Sequence, residues 1–298
     1  MLGSSTIRCT GIHLAPHGVY AVELARRRKS VSLSRCAMVR LSGPLEIPEA
    51  LADDEGRSKL VEALQVLRRG GIEAERPYFA LSGTASFIKR RFLLPRDREA
   101  TREQLLWEAG QLLEQDEEEY VVDTLVTRRH GFFIAARRQI LDLHGALCRQ
   151  AQMGHPGFDM ASFALCNALE SCGAGGGGIE IVLQDDGESA RAVLLRDGVY
   201  EAESSWTLDE MTAAGGLERF CEAELGEQDS LRRLWVAGPG ETEGRGGLAG
   251  LTDEVTDLDP FIGLPVAESA RQALESVETP PRAYAIAAGL AFRGLTDN

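Results

Sequence analysis

Apolar positions along the chain follow two rhythms. Short runs dense in Val, Ile and Leu, cut by turn residues or charge, predict strands, whereas apolar residues three and four apart predict helices. The first rhythm opens the chain in TIRCTGIHL, GVYAVELA and SVSLSRCAMVRL, three strands with turns between them. A polar, Pro-bearing connection leads to RSKLVEALQVLRRGG, where Leu60, Leu64 and Leu67 form a helical stripe that Gly70 and Gly71 end. A second unit starts at Arg76. PYFALSG and ASFIKRRFLLP read as strands, the latter stopped by Pro95. TREQLLWEAGQLLEQ then places Leu105, Leu106, Ala109, Leu112 and Leu113 on one helical face, with Thr101 and Gln104 as a capping box. Trp107, Leu112 and Leu113 are assigned to the core of this unit. EYVVDTLVTRR and GFFIAAR form a hairpin through Arg-His-Gly, and RQILDLHGALCRQAQ is a closing helix. The order is strand, strand, helix, strand, strand, helix.

HPGFDMASFALCNALESC reads as a short strand and a helix, followed by GAGGGG at 173–178, a linker because successive glycines have little reason to sit inside a packed element. IEIVLQDD, SARAVLLRDG and VYEAESS make a strand meander with a turn at Asp197 and Gly198. A helix from Leu208, the strand RRLWVAG and a Gly-rich loop follow. Both halves open with strand, turn, strand, strand, which points to two related lobes around a cleft.

The 298 residues carry a formal net charge of −14, which excludes general nucleic-acid binding and direct binding to anionic lipid. The basic runs ARRRKS at 25–30 and IKRR at 88–91 are local exceptions, the first a solvated turn. No apolar run reaches the length of a membrane span, and the start lacks the apolar core of a signal peptide, so a cytoplasmic location is expected. Cys9, Cys36, Cys148, Cys166, Cys172 and Cys221 form no CxxC pair and read as free thiols. His13 and His17 lack a third ligand for zinc, no triad or nucleophile elbow is present, and EQDEEEY at 114–120 is a solvated turn.

Four motifs carry a resemblance. GIHLAPHGVYAVEL resembles the opening of the PilM family, the actin-like proteins of type IV pilus assembly. IKRRFLLP with LLWEAGQLLEQDEEEYVVD resembles the inserted module that PilM shares with the cell-division protein FtsA. FIAARRQILDLHGALCRQAQMGHPGFDMASFALCNALE matches the stretch that leaves that module, and AIAAGLAFRGL at 285–295 the closing helix. The resemblance covers residues 7–170 and the C-terminus well, and 179–280 loosely. It implies an α/β, actin-like (ribonuclease H-like) two-lobed fold with an inserted α+β module of the FtsA/PilM type. Residues 1–75 and 151–172 would form the first lobe, 76–150 the module, 173–178 the linker and 179–280 a second, reduced lobe. Residues 281–298 would return as a helix to the first lobe.

In such clefts an acidic residue on the first turn holds Mg²⁺, and small residues beside it let backbone N–H groups reach the phosphates. Aligned with the family, the acid falls on His13, the three-serine turn on Pro16, His17 and Gly18, and the family's lysine on Tyr20. The family's second Asp-x-Gly turn falls near Gln184, Asp185 and Asp186, so that pattern is displaced or absent, and the adenosine-side loop VAGPGETEGRGGLAGL keeps Gly238 and Gly240. A proline has no N–H to donate, and a neutral imidazole cannot replace a carboxylate beside Mg²⁺. This reads as a vestigial nucleotide cleft, with no catalytic residue, no metal and no cofactor expected, weak ATP and Mg²⁺ binding being left open. The resemblance implies a scaffold that docks the cytoplasmic N-terminal tail of a single-span PilN-like inner-membrane protein near the module and links it to motor ATPases. The scaffold would thus be peripheral to the inner membrane through its partner. Phe79, Phe87, Ile88 and Phe92 are the candidates for that groove. The related cytoplasmic domain of the type II secretion protein GspL fills a close variant of the role. The rival reading is an active actin-like ATPase or sugar-kinase relative, with Asp185 and Asp186 as its carboxylates.

Overall fold

The computed structural model describes residues 6–72, 74–81, 85–92, 98–113, 119–173, 176–212, 215–240, 250–275 and 279–297. The three opening strands are β1 (Ile7–Ala15), β2 (Gly18–Arg27) and β3 (Ser30–Arg40), an antiparallel meander whose register runs Ala15↔Gly18 and Arg27↔Ser30. Two-residue turns join them, and the basic run supplies one, with Arg28 at φ 59°. β4 (Pro77–Leu81) and β8 (Gly157–Met160) add in parallel, giving the order β3-β2-β1-β4-β8. The second lobe repeats that plan: β9 (Ile179–Asp185), β10 (Ser189–Arg196), β11 (Val199–Thr207), β12 (Leu231–Ala237) and β13 (Val255–Asp257) lie in the order β11-β10-β9-β12-β13. The expected duplication is therefore present strand for strand.

Each sheet is covered on both faces. Helices α1 (Ile47–Ala52), α2 (Asp54–Arg69) and α4 (Arg138–Gln150) cover one face of the first sheet, burying Leu51, Leu60, Leu64 and Leu147 against Ile12, Val19 and Phe79. α6 (Leu208–Thr212) and α7 (Gly216–Glu224) lie on the outer face of the second sheet. Between the sheets run α5 (Ala161–Ser171) and α9 (Ala285–Thr296), and one apolar cluster passes from Val22 and Leu24 through both helices to Val182, Val193 and Trp235. α9 is an alanine-rich helix buried almost all round, as expected of a helix with no polar face. Its approach is close. A Cβ on Gly11 would lie 2.0 Å from the Ala287 carbonyl oxygen, and one on Gly289 would lie 1.8 Å from that of Ala164.

The inserted unit is a three-stranded sheet, order β5-β7-β6, from β5 (Ser86–Phe92), β6 (Tyr120–Val126) and β7 (His130–Arg137), with α3 (Arg98–Leu113) on one face. This corrects the 76–150 boundary. β4 pairs with β1, and α4 packs on α1 and α2, so both belong to the first lobe. The return to that lobe also begins before residue 281. Val266 bridges to Leu33, and α8 (Glu268–Leu274) packs on β3. Thr101 is a buried residue inside α3, not its cap, because the helix already starts at Arg98. Leu105, Ala109 and Leu113 meet the expected core, but Leu106, Leu112 and Trp107 are exposed, Trp107 at 66%. The hairpin turns at 127–129, since His130 and Gly131 already pair in β7. The acidic residues 114–118 lie outside the described residues, as do 174 and 175 of the glycine linker.

The module is also tied to the second lobe. Arg90 on β5 donates to both oxygens of Glu224 on α7, at 2.7 and 3.2 Å. Arg129 donates to Glu201 at 3.0 Å, and Arg196 holds the other Glu201 oxygen and Asp229. Phe132 of β7 and Phe163 of α5 meet Tyr200 of β11 edge-on, at 5.1 and 5.0 Å between ring centres.

The Gly289→Val variant forces a side chain into main chain that cannot give, so it should cost about 3 kcal/mol or more. Gly43→Ala, where a Cβ meets nothing within 4 Å, should change stability by less than about 0.5 kcal/mol. Urea unfolding followed by circular dichroism compares them.

Candidate functional site

The first turn of the cleft is Pro16 and His17, closing the β1–β2 hairpin. Their carbonyls accept the N–H groups of Leu45 and Leu41, each at 2.9 Å, so the turn is braced by main chain. His13 faces Tyr20 across the hairpin with the rings stacked at 6.2 Å, and Tyr20 meets Tyr284 edge-on at 5.7 Å. Burial holds the His13 imidazole down to about 4, against the pull of Asp186 and with the push of Arg191. It is neutral at pH 7. Gly18 starts β2 opposite Ala15.

The second turn spans Asp186–Glu188 and uses its own carboxylates. Asp185 accepts the Gly187 N–H at 2.9 Å. Asp186 accepts the N–H groups of Glu188 and Ser189, at 3.2 and 2.8 Å, and the Ser189 hydroxyl. These are Asx-type contacts that shape a turn. Glu188 leaves it and crosses the cleft, where His17 Nε2 donates to its Oε1 at 3.0 Å. The two turns that would hold a phosphate between them are thus in contact with each other.

Gly238 and Gly240 press on the same turn from the third side. Gly240 N–H donates to the Asp185 carbonyl at 3.2 Å. Gly238 has φ +92°, and a Cβ there would lie 1.9 Å from that carbonyl oxygen. Buried Arg282, which the sequence reading missed, donates to the carbonyls of Gly238 (3.2 Å) and Gly240 (2.6 Å) and to Asp257 (3.3 Å). Residues 241–249 of the adenosine-side loop lie outside the described residues. The structure thus brings together His13, Pro16, His17, Gly18, Tyr20, Asp185, Asp186, Gly238 and Gly240. They fit a magnesium triphosphate poorly, having a neutral ring in the acid's place, a missing donor and carboxylates engaged with their own turn. Among the described residues no group of three His, Cys, Asp or Glu could hold a metal.

A second concavity lies on the other side of α5. It is a groove of about 760 Å³ between the inner face of the module sheet, the free edge of β8 and Tyr200 of the second lobe. Val121, Ile134 and Ala136 form the module wall, Met160 and Phe163 the lobe wall, and Arg76, Arg102 and Arg293 stand exposed around it. Phe79 is not there. It is fully buried in the first lobe, edge-on to His144 at 5.2 Å. Phe87 packs on Phe133 and Tyr120 in the module core, Ile88 lies on β5 at the far edge from β6, and the Phe92 side chain lies outside the described residues. Two carboxylates line this groove, exposed Asp123 of β6 and half-buried Asp159 of β8, whose carboxyl burial raises to about 6. The signal of Asp159 in the sequence was a lone acid inside the apolar GFDMASF junction.

The chain matches solved structures along its length. It covers 97% of itself and 99% of a chain of the PilM-PilN type IV pilus biogenesis complex, with a TM-score of 0.73 and 19% identity. It covers 98% of itself and 96% of the cytoplasmic domain of EpsL, an inner-membrane component of the type II secretion system of Vibrio cholerae (TM-score 0.53, 11% identity). For a Bacteroides thetaiotaomicron protein with actin-like ATPase fold and unknown function the figures are 85% and 91%, 0.50 and 11%. No protein-family model and no curated protein matches the sequence. These likenesses show the fold, which is actin-like with the inserted module.

Because the folded pKa of His13 lies below its unfolded value of 6.5, the stability it contributes is full above pH 6.5. That stability is lost as pH falls toward 4. Asp159, raised from 3.8 to about 6, costs stability above that window instead. His13→Phe should therefore flatten the acid limb of a melting-temperature profile between pH 6.5 and 4, by roughly 3 kcal/mol at most. Asp159→Asn should stabilise the protein at pH 7 by roughly 3 kcal/mol at most, the gain vanishing near pH 4. Melts in a series of buffers at constant ionic strength read both.

Proposed function

We propose that the chain is a PilM-like scaffold that docks the short cytoplasmic tail of a PilN-like membrane protein, with no efficient ATP hydrolysis. The observation that carries this is the groove. Its floor is β8, an edge strand that among the described residues pairs only with β4, and apolar side chains of both walls, Val121, Ile134, Met160 and Phe163, face it. An extended peptide can add there as a further strand, main-chain hydrogen bonds giving affinity and alternate side chains giving specificity. The likeness to a PilM-PilN complex over nearly the whole chain supports a partner of that kind. Among the described residues no helix is long and apolar enough to cross a membrane. In this reading the protein reaches the inner membrane through the tail it holds, and the motor ATPases of the machine engage the same platform.

The cleft supports the second half of the proposal. A triphosphate entering it must break the His17–Glu188 contact and unseat two aspartates from the turn they shape, while gaining no acid on β1 to hold its magnesium.

Calorimetric titration with a synthetic N-terminal tail of a PilN-like single-span protein should give saturable binding. Val121→Trp, which fills the groove from an exposed edge position, should weaken it at least about tenfold, or 1.4 kcal/mol, with the melting temperature kept. Mg-ATP in millimolar excess should not move the melting temperature, whereas a site 99% filled would add about 2.7 kcal/mol. A saturable, magnesium-dependent shift sinks the pseudo-ATPase half. Failure of such tails to bind the wild-type chain sinks the docking half.

A further inference from the structure

Among the described residues, the half-buried carboxyl of Asp159 in the groove wall has no ion-pair partner. Asp159 lies at the free edge of the first sheet, beside α5 and α9. Its Oδ1 accepts the Met160 N–H at 2.8 Å, and its Oδ2 accepts Asn167 Nδ2 at 3.3 Å. Among the described residues it makes no ion pair. Arg293, the cation of α9 beside it, is paired with Asp297 at 3.5 Å. Burial, the largest influence on this carboxyl, outweighs the attraction of Arg293. An asparagine could accept the Met160 N–H through its oxygen and, with the Asn167 carboxamide turned over, donate to Asn167 Oδ1, without the cost of a desolvated charge. The fold therefore needs the shape of this side chain but not its charge.

The charge is of use to something that enters the groove. We infer, on the docking reading above, that Asp159 is the specificity-determining residue of the groove and receives a lysine or arginine side chain of the docked strand. A strand added to β8 brings one residue opposite Asp159 on the same face, within about 5 Å between Cβ atoms, where opposite charges attract. The residues before and after it turn to the other face, beside Phe158 and Met160, and are apolar. The recognised pattern is apolar, basic, apolar. Arg76, Arg102 and Arg293 are less telling, because they stand in solvent, where a charge pair contributes little.

Selection of a random library of ten-residue displayed peptides on the full chain tests this, with acetylated termini so that side chains are the only cations. The wild-type selection should enrich alternating apolar peptides with Lys or Arg at one fixed position. The same selection on Asp159→Asn should keep the alternation and lose the basic position, whereas Asp123→Asn, in the facing module wall, should keep both. For one enriched peptide, Lys→norleucine should weaken binding at least tenfold on the wild type and less than twofold on Asp159→Asn. Alternating peptides without a fixed basic position overturn the role of Asp159 and leave docking standing. Absence of any extended pattern that Val121→Trp abolishes overturns docking, and this inference with it.

Discussion

The main chain of α9 runs against β1 on one side and α5 on the other at distances that hydrogen alone permits at Gly11 and Gly289. That proximity gives the two lobes a shared apolar core in addition to the one each has under its outer helices. It also sets the position of everything at the cleft: Arg282, just before α9, reaches the Gly238–Gly240 loop, and Tyr284 supports Tyr20 under the first turn. Interiors this dense transmit displacement instead of absorbing it. A shift of α9 would move both turns together.

Much of this was legible in the sequence because it rests on local signals. The opening meander, the 157–171 strand–helix junction and the closing helix lie within a residue or two of their expected places, and the helix with Leu60, Leu64 and Leu67 starts three residues before the expected Arg57, at Asp54. What failed had tertiary causes. PYFAL has the composition of any strand, and only its pairing with β1 decides that it belongs to the first lobe. Trp107 reads as core by hydrophobicity, yet it projects from the side of α3 opposite Leu105 and Ala109. The place of His13 opposite Tyr20 in the opening hairpin was readable. The His17–Glu188 contact was not, because it joins residues 171 positions apart. The groove was invisible for the same reason: its walls come from three units, and of the residues chosen for it Phe79 is buried in the first lobe and Phe87 packs on the core of the module.

His13 and Asp159 illustrate how the two sites differ. Both are desolvated titratable groups. The cleft has met the cost by choosing a group that sheds its charge and stacks on Tyr20. The groove keeps a carboxylate where an amide would be cheaper. Buried polarity that the fold does not require marks the place where selection acts on something other than stability.

The charged ties between the module and the second lobe carry one more implication. Lobe touches lobe through α9, the module touches the first lobe by chain continuity, and Arg90–Glu224 with Arg129–Glu201 closes the third side. Three bodies joined pairwise form a triangle, and a triangle, unlike a hinge, resists shear. A tug on a peptide seated at the junction would be shared among all three members at once, as load is in a truss. Because one side of the triangle is held by two ion pairs, that stiffness should soften as salt concentration rises.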